Sequence, residues 1–171
     1  ALEFVAINDL TDAKTLAYLL KYDSVHGRFP HEVEHNADGI TIDGQLIRVF
    51  HETDPTKIPW GSVGADYIAE ATGVFLATVT AAAHIKGGAK KVILSAPPKD
   101  DTQIIVMGVN HDKYNSNMQV VSNASCTTNC LAPVIDVLHK TFGIKHGAIT
   151  TIHDITNTQC ILDEYHSDLR R

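Results

Sequence analysis

Apolar residues fall along this chain in two kinds of run. Residues 2–7 (LEFVAI) are apolar on both parities apart from Glu3, the pattern of a strand buried on both faces of a parallel sheet. Thr11 then caps a helical pattern through Leu16, Leu19 and Leu20 to Tyr22. Three short runs follow at residues 31–35, 40–42 and 45–50, separated by Asn36-Ala37-Asp38-Gly39 and Asp43-Gly44; two turns at this spacing predict an antiparallel meander. Residues 65–71, 91–95, 104–109 and 119–121 predict four more strands. Residues 79–85 predict a helix ending at Gly87-Gly88, and residues 131–142 carry Leu131, Val134, Ile135, Leu138 and Phe142 at helical spacing. Residues 148–152 alternate and predict a strand that ends at His153.

Composition narrows the class. Hydrophobic residues make up 44% and charged residues 20% of 171 positions, as in ordinary globular proteins. The net charge of −6 and the absence of a basic block argue against nucleic acid as a partner. No apolar run approaches the roughly 20 residues of a membrane span. Three cysteines without a framework point to a reducing compartment, hence to the cytoplasm. The chain opens inside a strand-like run and stops at Arg170-Arg171, so it is expected to be an internal piece of a longer protein.

Chemistry concentrates in a few places. Cys126 sits where a strand gives way to a helix, among small polar residues: Ser122-Asn123-Ala124-Ser125-Cys126-Thr127-Thr128-Asn129-Cys130. A helix start offers backbone N–H groups and a positive dipole end, both of which favour thiolate over thiol. The plainer reading is a buried structural cysteine. A nucleophilic cysteine wants an imidazole nearby. A helix followed by a returning strand would bring His153 back toward the helix start, where Thr127, Thr156 and Thr158 could join Ser125 as neutral donors to an anion such as phosphate. At the end of the first strand, Asn8-Asp9 places a carboxylate suited to both hydroxyls of an adenosine ribose; a turn or helix-cap role is the plainer alternative. Thr72, Gly73 and Ser95 sit at other strand ends, where open α/β sheets bind ligands, or serve as ordinary turn residues. His31-Glu32-Val33-Glu34-His35 matches a zinc-protease pattern, but that chemistry needs a helix. The strand predicted here separates the two imidazoles by ~13 Å, and no metal is expected.

The cysteine segment resembles the active-site segment of phosphorylating glyceraldehyde-3-phosphate dehydrogenases. Similar resemblance extends to Asn8-Asp9, residues 22–29 (YDSVHGRF), 70–75 (EATGVF), 107–110 (MGVN) and the loop at 151–159. The resemblance implies an α/β fold: an incomplete Rossmann-type nucleotide-binding domain over residues 1–125, followed from 126 to 171 by the start of an α+β catalytic domain. It implies Cys126 as nucleophile and His153 as its base. It implies Ser125 and Thr127 on the attacking phosphate, and Thr156 and Thr158 on the phosphate of the substrate. NAD would lie against Asn8, Asp9, Thr72, Gly73 and Ser95, with Leu10 after Asp9 offering no basic partner to a 2′-phosphate. The implied reaction converts D-glyceraldehyde 3-phosphate and inorganic phosphate to 1,3-bisphosphoglycerate through a cysteine thioester. The implied assembly is a homotetramer.

Some positions depart from the commoner family pattern. Thr53 stands where an arginine is frequent, and Asp154, Ile155 and Asn157 surround His153 in place of smaller or aromatic residues. Competing readings are a relative acting on erythrose 4-phosphate, a cofactor-free thiol hydrolase using the same Cys–His pair, and a chain inactive as it stands. Asp9 and the buried-strand pattern speak against the hydrolase.

Overall fold

The computed structural model describes residues 2–156. These fall into two compact units that divide between Val137 and Leu138. The first opens with β1 (Ala6–Asn8), α1 (Ala13–Lys21) and a small hairpin of β2 (Tyr22–Asp23) and β3 (Gly27–Arg28). The expected meander follows as β4 (Val33–Asn36), β5 (Gly39–Ile42) and β6 (Gln45–Phe50). Sheet order is β1-β6-β5-β4, with β1 parallel to β6 and the other pairs antiparallel. Ala13, Leu16, Ala17 and Leu20 recur at helical spacing on α1 and pack against Val33, Ile40 and Ile47 of the meander.

Local side chains move several expected boundaries. The α1 cap is Asp12 rather than Thr11: its carboxylate accepts the Thr15 N–H at 3.0 Å, and an ionised acceptor suits the helix start better than a hydroxyl. Strand β1 is three residues, not six, and Leu2 and Phe4 are 87% and 73% exposed. The β1 residues are half-buried, so in this structure the run is not buried on both faces as expected; among the described residues β1 pairs only with β6. The meander begins at Val33 because Asp43 captures what precedes it, accepting the Glu32 N–H at 2.9 Å and lying 2.6 Å from His31 Nδ1. The His31–His35 segment is thus loop and strand. Among the described residues no group of three His, Cys, Asp or Glu side chains could hold a metal.

The second sheet is wholly parallel. It runs β7 (Tyr67–Glu70), β8 (Lys91–Leu94) and β9 (Val120–Ser122) in that order. Short helices α2 (Thr78–Ala81) and α3 (Ala83–Lys86) lie between β7 and β8, so the single helix expected at 79–85 is broken at Ala82. The run 104–109 is not a strand. Only Ile104 bridges to Ser122, and the Asn110 side chain then takes over, accepting from the Val106 N–H and donating to the Ile104 carbonyl. Ile58, Trp60, Ile68, Val92, Leu94 and Val120 form the core of this half. Phe50 of β6 meets Trp60 edge-on at 6.0 Å, so the same cluster joins the two sheets.

Helix α4 (Cys126–Phe142) follows β9, with Pro133 inside it. In the second unit it ends at Gly143, whose N–H donates to the His139 carbonyl at 2.9 Å and whose positive φ turns the chain out of the helix. Residues 148–152 are exposed and form no strand among the described residues, a correction to the expectation. Alternation marks a chain able to pair, and no neighbouring strand meets it there.

One close backbone approach fixes the second core. Gly88 has φ +108°, and a Cβ there would lie 2.7 Å from both Cα and N of Gly61. Both contacts are backbone and cannot rotate away. Gly88→Ala is expected to cost about 2–3 kcal/mol in urea unfolding. Gly44→Ala, also at positive φ but with open space around it, should cost only about 1 kcal/mol. Equal costs would show that the approach to Gly61 is unimportant.

Candidate active site

Parallel strands β7, β8 and β9 end on one edge of their sheet, and the register pairs Glu70 with Leu94 and Leu94 with Ser122. Thr72-Gly73, Ser95 and the segment leading to Cys126 follow these ends directly, so the structure brings them to a common edge. This is the carboxyl edge, where open α/β sheets bind ligands. Asn8 and Asp9 stand at the carboxyl end of β1 in the other sheet.

The turns after β7 and β9 are each tied down by a buried polar side chain at the last position of the strand, Glu70 and Ser122. Ser122 is 0% exposed. Its hydroxyl donates to the Ala96 carbonyl at 2.8 Å and accepts the Ala124 N–H at 3.0 Å. Ala124 has φ +62°, unusual for a residue with a side chain, and this hydrogen bond helps to hold it there. Ser125 caps α4: its Oγ accepts the Thr128 N–H at 3.0 Å and sits 2.8 Å from Thr128 Oγ1. The Asn129 amide donates to the carbonyls of Asn123 and Ser125 at 2.7 and 2.9 Å. Cys126 thus occupies the first turn of a long helix, with its thiol exposed and 3.9 Å from Thr127 Oγ1. In this structure Cys126 is exposed rather than buried. Cys130, one turn on, is also exposed.

At the end of β7, Glu70 is 3% exposed. One carboxylate oxygen accepts the Thr72 N–H at 2.8 Å and, in a short contact, the Thr72 hydroxyl. The other lies 2.8 Å from Nε2 of buried His84. Burial pushes the Glu70 carboxyl up, but the hydrogen bonds from His84 and Thr72 outweigh it and hold it below the usual glutamate range.

The remaining expected residues are placed individually. Asn8 pairs its amide with Glu52, donating to the carbonyl and accepting the N–H, both at 3.0 Å, so it pins the loop after β6. Asp9 accepts the Thr11 N–H at 2.7 Å through Oδ1. Ser95 donates its N–H to the Glu70 carbonyl at 3.0 Å and is exposed. In the second unit, His153 is exposed, with Nδ1 2.5 Å from the Asp154 carbonyl. A carbonyl only accepts, so Nδ1 carries a proton. Thr156 is exposed; Thr158 and Asn157 lie outside the described residues. Cys126 belongs to the first unit and His153 to the second, so their pairing stands as an expectation. The positioning roles of Glu70, Ser122 and Asn129 escaped the sequence reading; for Glu70 and Ser122 the only signal was a polar residue closing an apolar strand, and for Asn129, in the first turn of α4, there was none.

These features define a nucleotide-binding α/β domain of Rossmann type, joined to a helix that begins at an exposed cysteine. Residues 1–78 match the family model described as glyceraldehyde 3-phosphate dehydrogenase, NAD binding domain, and residues 125–171 match that of the C-terminal domain. Relatives named glyceraldehyde-3-phosphate dehydrogenase include those of Streptomyces coelicolor, 55% identical, and Geobacillus stearothermophilus, 56% identical; each alignment covers 99% of this chain and 51% of the relative. That of Thermotoga maritima is 51% identical over the same shares. The chain belongs to the glyceraldehyde-3-phosphate dehydrogenase family. It spans about half the length of the curated relatives it matches.

Two outcomes follow from the strand-end ties. Ser122→Ala leaves the buried Ala124 N–H without its acceptor and is expected to cost about 1–3 kcal/mol, with a changed alkylation rate at Cys126; unchanged stability and rate would contradict the role given to Ser122. Glu70, with its acidity raised by folding, adds stability that is fully present above its unfolded value of about 4.3 and is lost as pH falls through the lower folded value. The stability gap between the parent and Glu70→Gln should be constant from pH 5 to 7 and should shrink below about pH 4. A gap that widened in acid would reverse the sign.

Proposed function

We propose that this chain carries the nucleotide groove and the nucleophile of an NAD-dependent, phosphorylating glyceraldehyde-3-phosphate dehydrogenase. The observation that carries the reading is the common carboxyl edge of β7, β8 and β9, which gathers Thr72-Gly73, Ser95 and Cys126. The nucleotide-binding domain runs to residue 125 and the catalytic domain starts at 126. The residues suit a dinucleotide: Asp9 keeps a carboxylate oxygen for ribose hydroxyls, and the Gly73 backbone, at φ +73° with open space where a Cβ would sit, admits a close ligand. Asn8, Asp9, Thr72, Gly73 and Ser95 would hold NAD, which supplies the hydride acceptor.

The chain's own residues do the rest. Cys126 Sγ attacks the aldehyde carbon of D-glyceraldehyde 3-phosphate, helped by the helix start, which favours thiolate. The carbonyl oxygen becomes an oxyanion held by the Cys126 N–H. His153 gives this oxyanion the proton it took from the thiol, forming the hemithioacetal hydroxyl, and takes that proton back as the carbon gives up its hydride and the thioester forms. Ser125 and Thr127 hold the inorganic phosphate that attacks the Cys126 thioester, and Thr156 and Thr158 hold the substrate phosphate. The product is 1,3-bisphosphoglycerate, and the working assembly is a cytoplasmic homotetramer. No helix among the described residues is long and apolar enough to cross a membrane.

The test uses the full-length protein. Cys126→Ser should lower phosphate-dependent NAD reduction by at least ~10³-fold, and His153→Asn by about 10²–10⁴-fold. NAD should slow alkylation of Cys126 in the parent. Full turnover in Cys126→Ser would overturn the assignment, and alkylation indifferent to NAD would favour a cofactor-free thiol enzyme.

A further inference from the structure

Trp60, His84 and Glu70 form a line of buried polar groups that the reaction above does not use. They are 5%, 4% and 3% exposed. The hydrogen bonds run in one direction only. Indole Nε1 is solely a donor, so at 3.1 Å it donates to His84 Nδ1, which must carry a lone pair. The imidazole is therefore neutral, and its Nε2–H donates to Glu70 Oε2 at 2.8 Å. Glu70 Oε1 takes both the N–H and the hydroxyl of Thr72. Phe75, three residues further along the same turn, sets its ring edge-on against His84 at 6.1 Å.

This line requires a carboxylate. Both Glu70 oxygens act as acceptors, one toward His84 and one toward Thr72. Glutamine has a single oxygen, so its NH₂ group would face either the imidazole N–H or the Thr72 N–H. Thr72, in turn, has no side-chain donor to spare for a ligand. Its hydroxyl proton goes to Glu70, and its oxygen accepts the Val74 N–H at 3.1 Å. What the turn offers outward is backbone at Gly73, held at φ +73°.

We propose that Glu70 is the positioning residue of the nucleotide groove: its carboxylate, aimed by His84 and Trp60, holds the Thr72–Gly73–Val74 turn in the shape that presents the Gly73 backbone to the cofactor. The inference rests on the nucleotide reading above and adds to it. Glu70 does not touch the cofactor, and Thr72 acts through its backbone.

The full chain is tested with NAD as probe, amide hydrogen exchange at Thr72 and Val74, and the fluorescence of Trp60, the one tryptophan in the chain. Glu70→Gln should shift Trp60 emission, reduce protection of both amides and weaken NAD binding about 10-fold. Thr72→Ser, which keeps the hydroxyl, should retain several-fold more NAD affinity than the variant without it. Thr72→Val, which removes only the hydroxyl, should weaken it several-fold. Unchanged amide protection in Glu70→Gln overturns the proposal. So does lost protection with unchanged NAD affinity. If Glu70→Gln fails to fold, equal affinities in the Ser and Val variants overturn it instead, and a Val-specific loss supports it. A parent that does not bind NAD overturns the nucleotide reading and the positioning role with it; reduced protection in Glu70→Gln would then identify the network as a structural clamp on the turn.

Discussion

A parallel sheet whose strands stop inside the molecule must satisfy the polar groups of the turns that leave it. Here two buried side chains do so, and the site depends on them. Glu70 and Ser122 are each the last residue of a strand, each faces inward, and each is almost wholly out of water. Glu70 ties down Thr72; Ser122 ties down Ala124 and joins it to Ala96 beside the end of β8. Without these ties, Ala124 at positive φ and the start of α4 would have no fixed relation to the sheet. The position of Cys126 is thus set from below, by the strand end.

The two ties differ in cost. A hydroxyl such as that of Ser122 is neutral and is satisfied by one donor and one acceptor. A carboxylate such as that of Glu70 is expensive to bury unless its oxygens are all occupied. The Trp60–His84 line meets that requirement with groups that are themselves buried and paired. The same cluster that joins the two sheets through Phe50 and Trp60 therefore carries the orientation of the Thr72–Gly73 turn. Packing and site geometry are not separable in this half of the molecule.

Much of this was legible in the sequence, and the exceptions have physical causes. The meander was readable because Asn36–Gly39 and Asp43-Gly44 punctuate it with turn residues. The strands at 67–70 and 91–94 were readable because their apolar runs are short and bounded. The helix at 131–142 was readable from its apolar spacing, but α4 begins earlier, at Cys126, where the Ser125 hydroxyl caps it. Residues 104–109 misled because apolar composition says nothing of the Asn110 side chain, which competes for the backbone locally. Residues 148–152 misled because alternation records an ability to pair, not a partner. Glu70 and Ser122 were invisible as site residues: their hydrogen bonds to Thr72 and Ala124 span two positions, but their burial comes from α3 and the loop after β8, which sequence spacing does not reveal.

The central claim is that Cys126 shares the carboxyl edge of the parallel sheet with Thr72-Gly73 and Ser95. The most direct measurement is paramagnetic broadening of backbone amides by a spin label on Cys126, in a variant whose other two cysteines are serine. Four-residue strands place the opposite edge about 13 Å further away. Strong broadening at Gly73 and Ser95, with weak broadening at Asp66 and Lys90, is the predicted result. The reverse pattern would contradict the account.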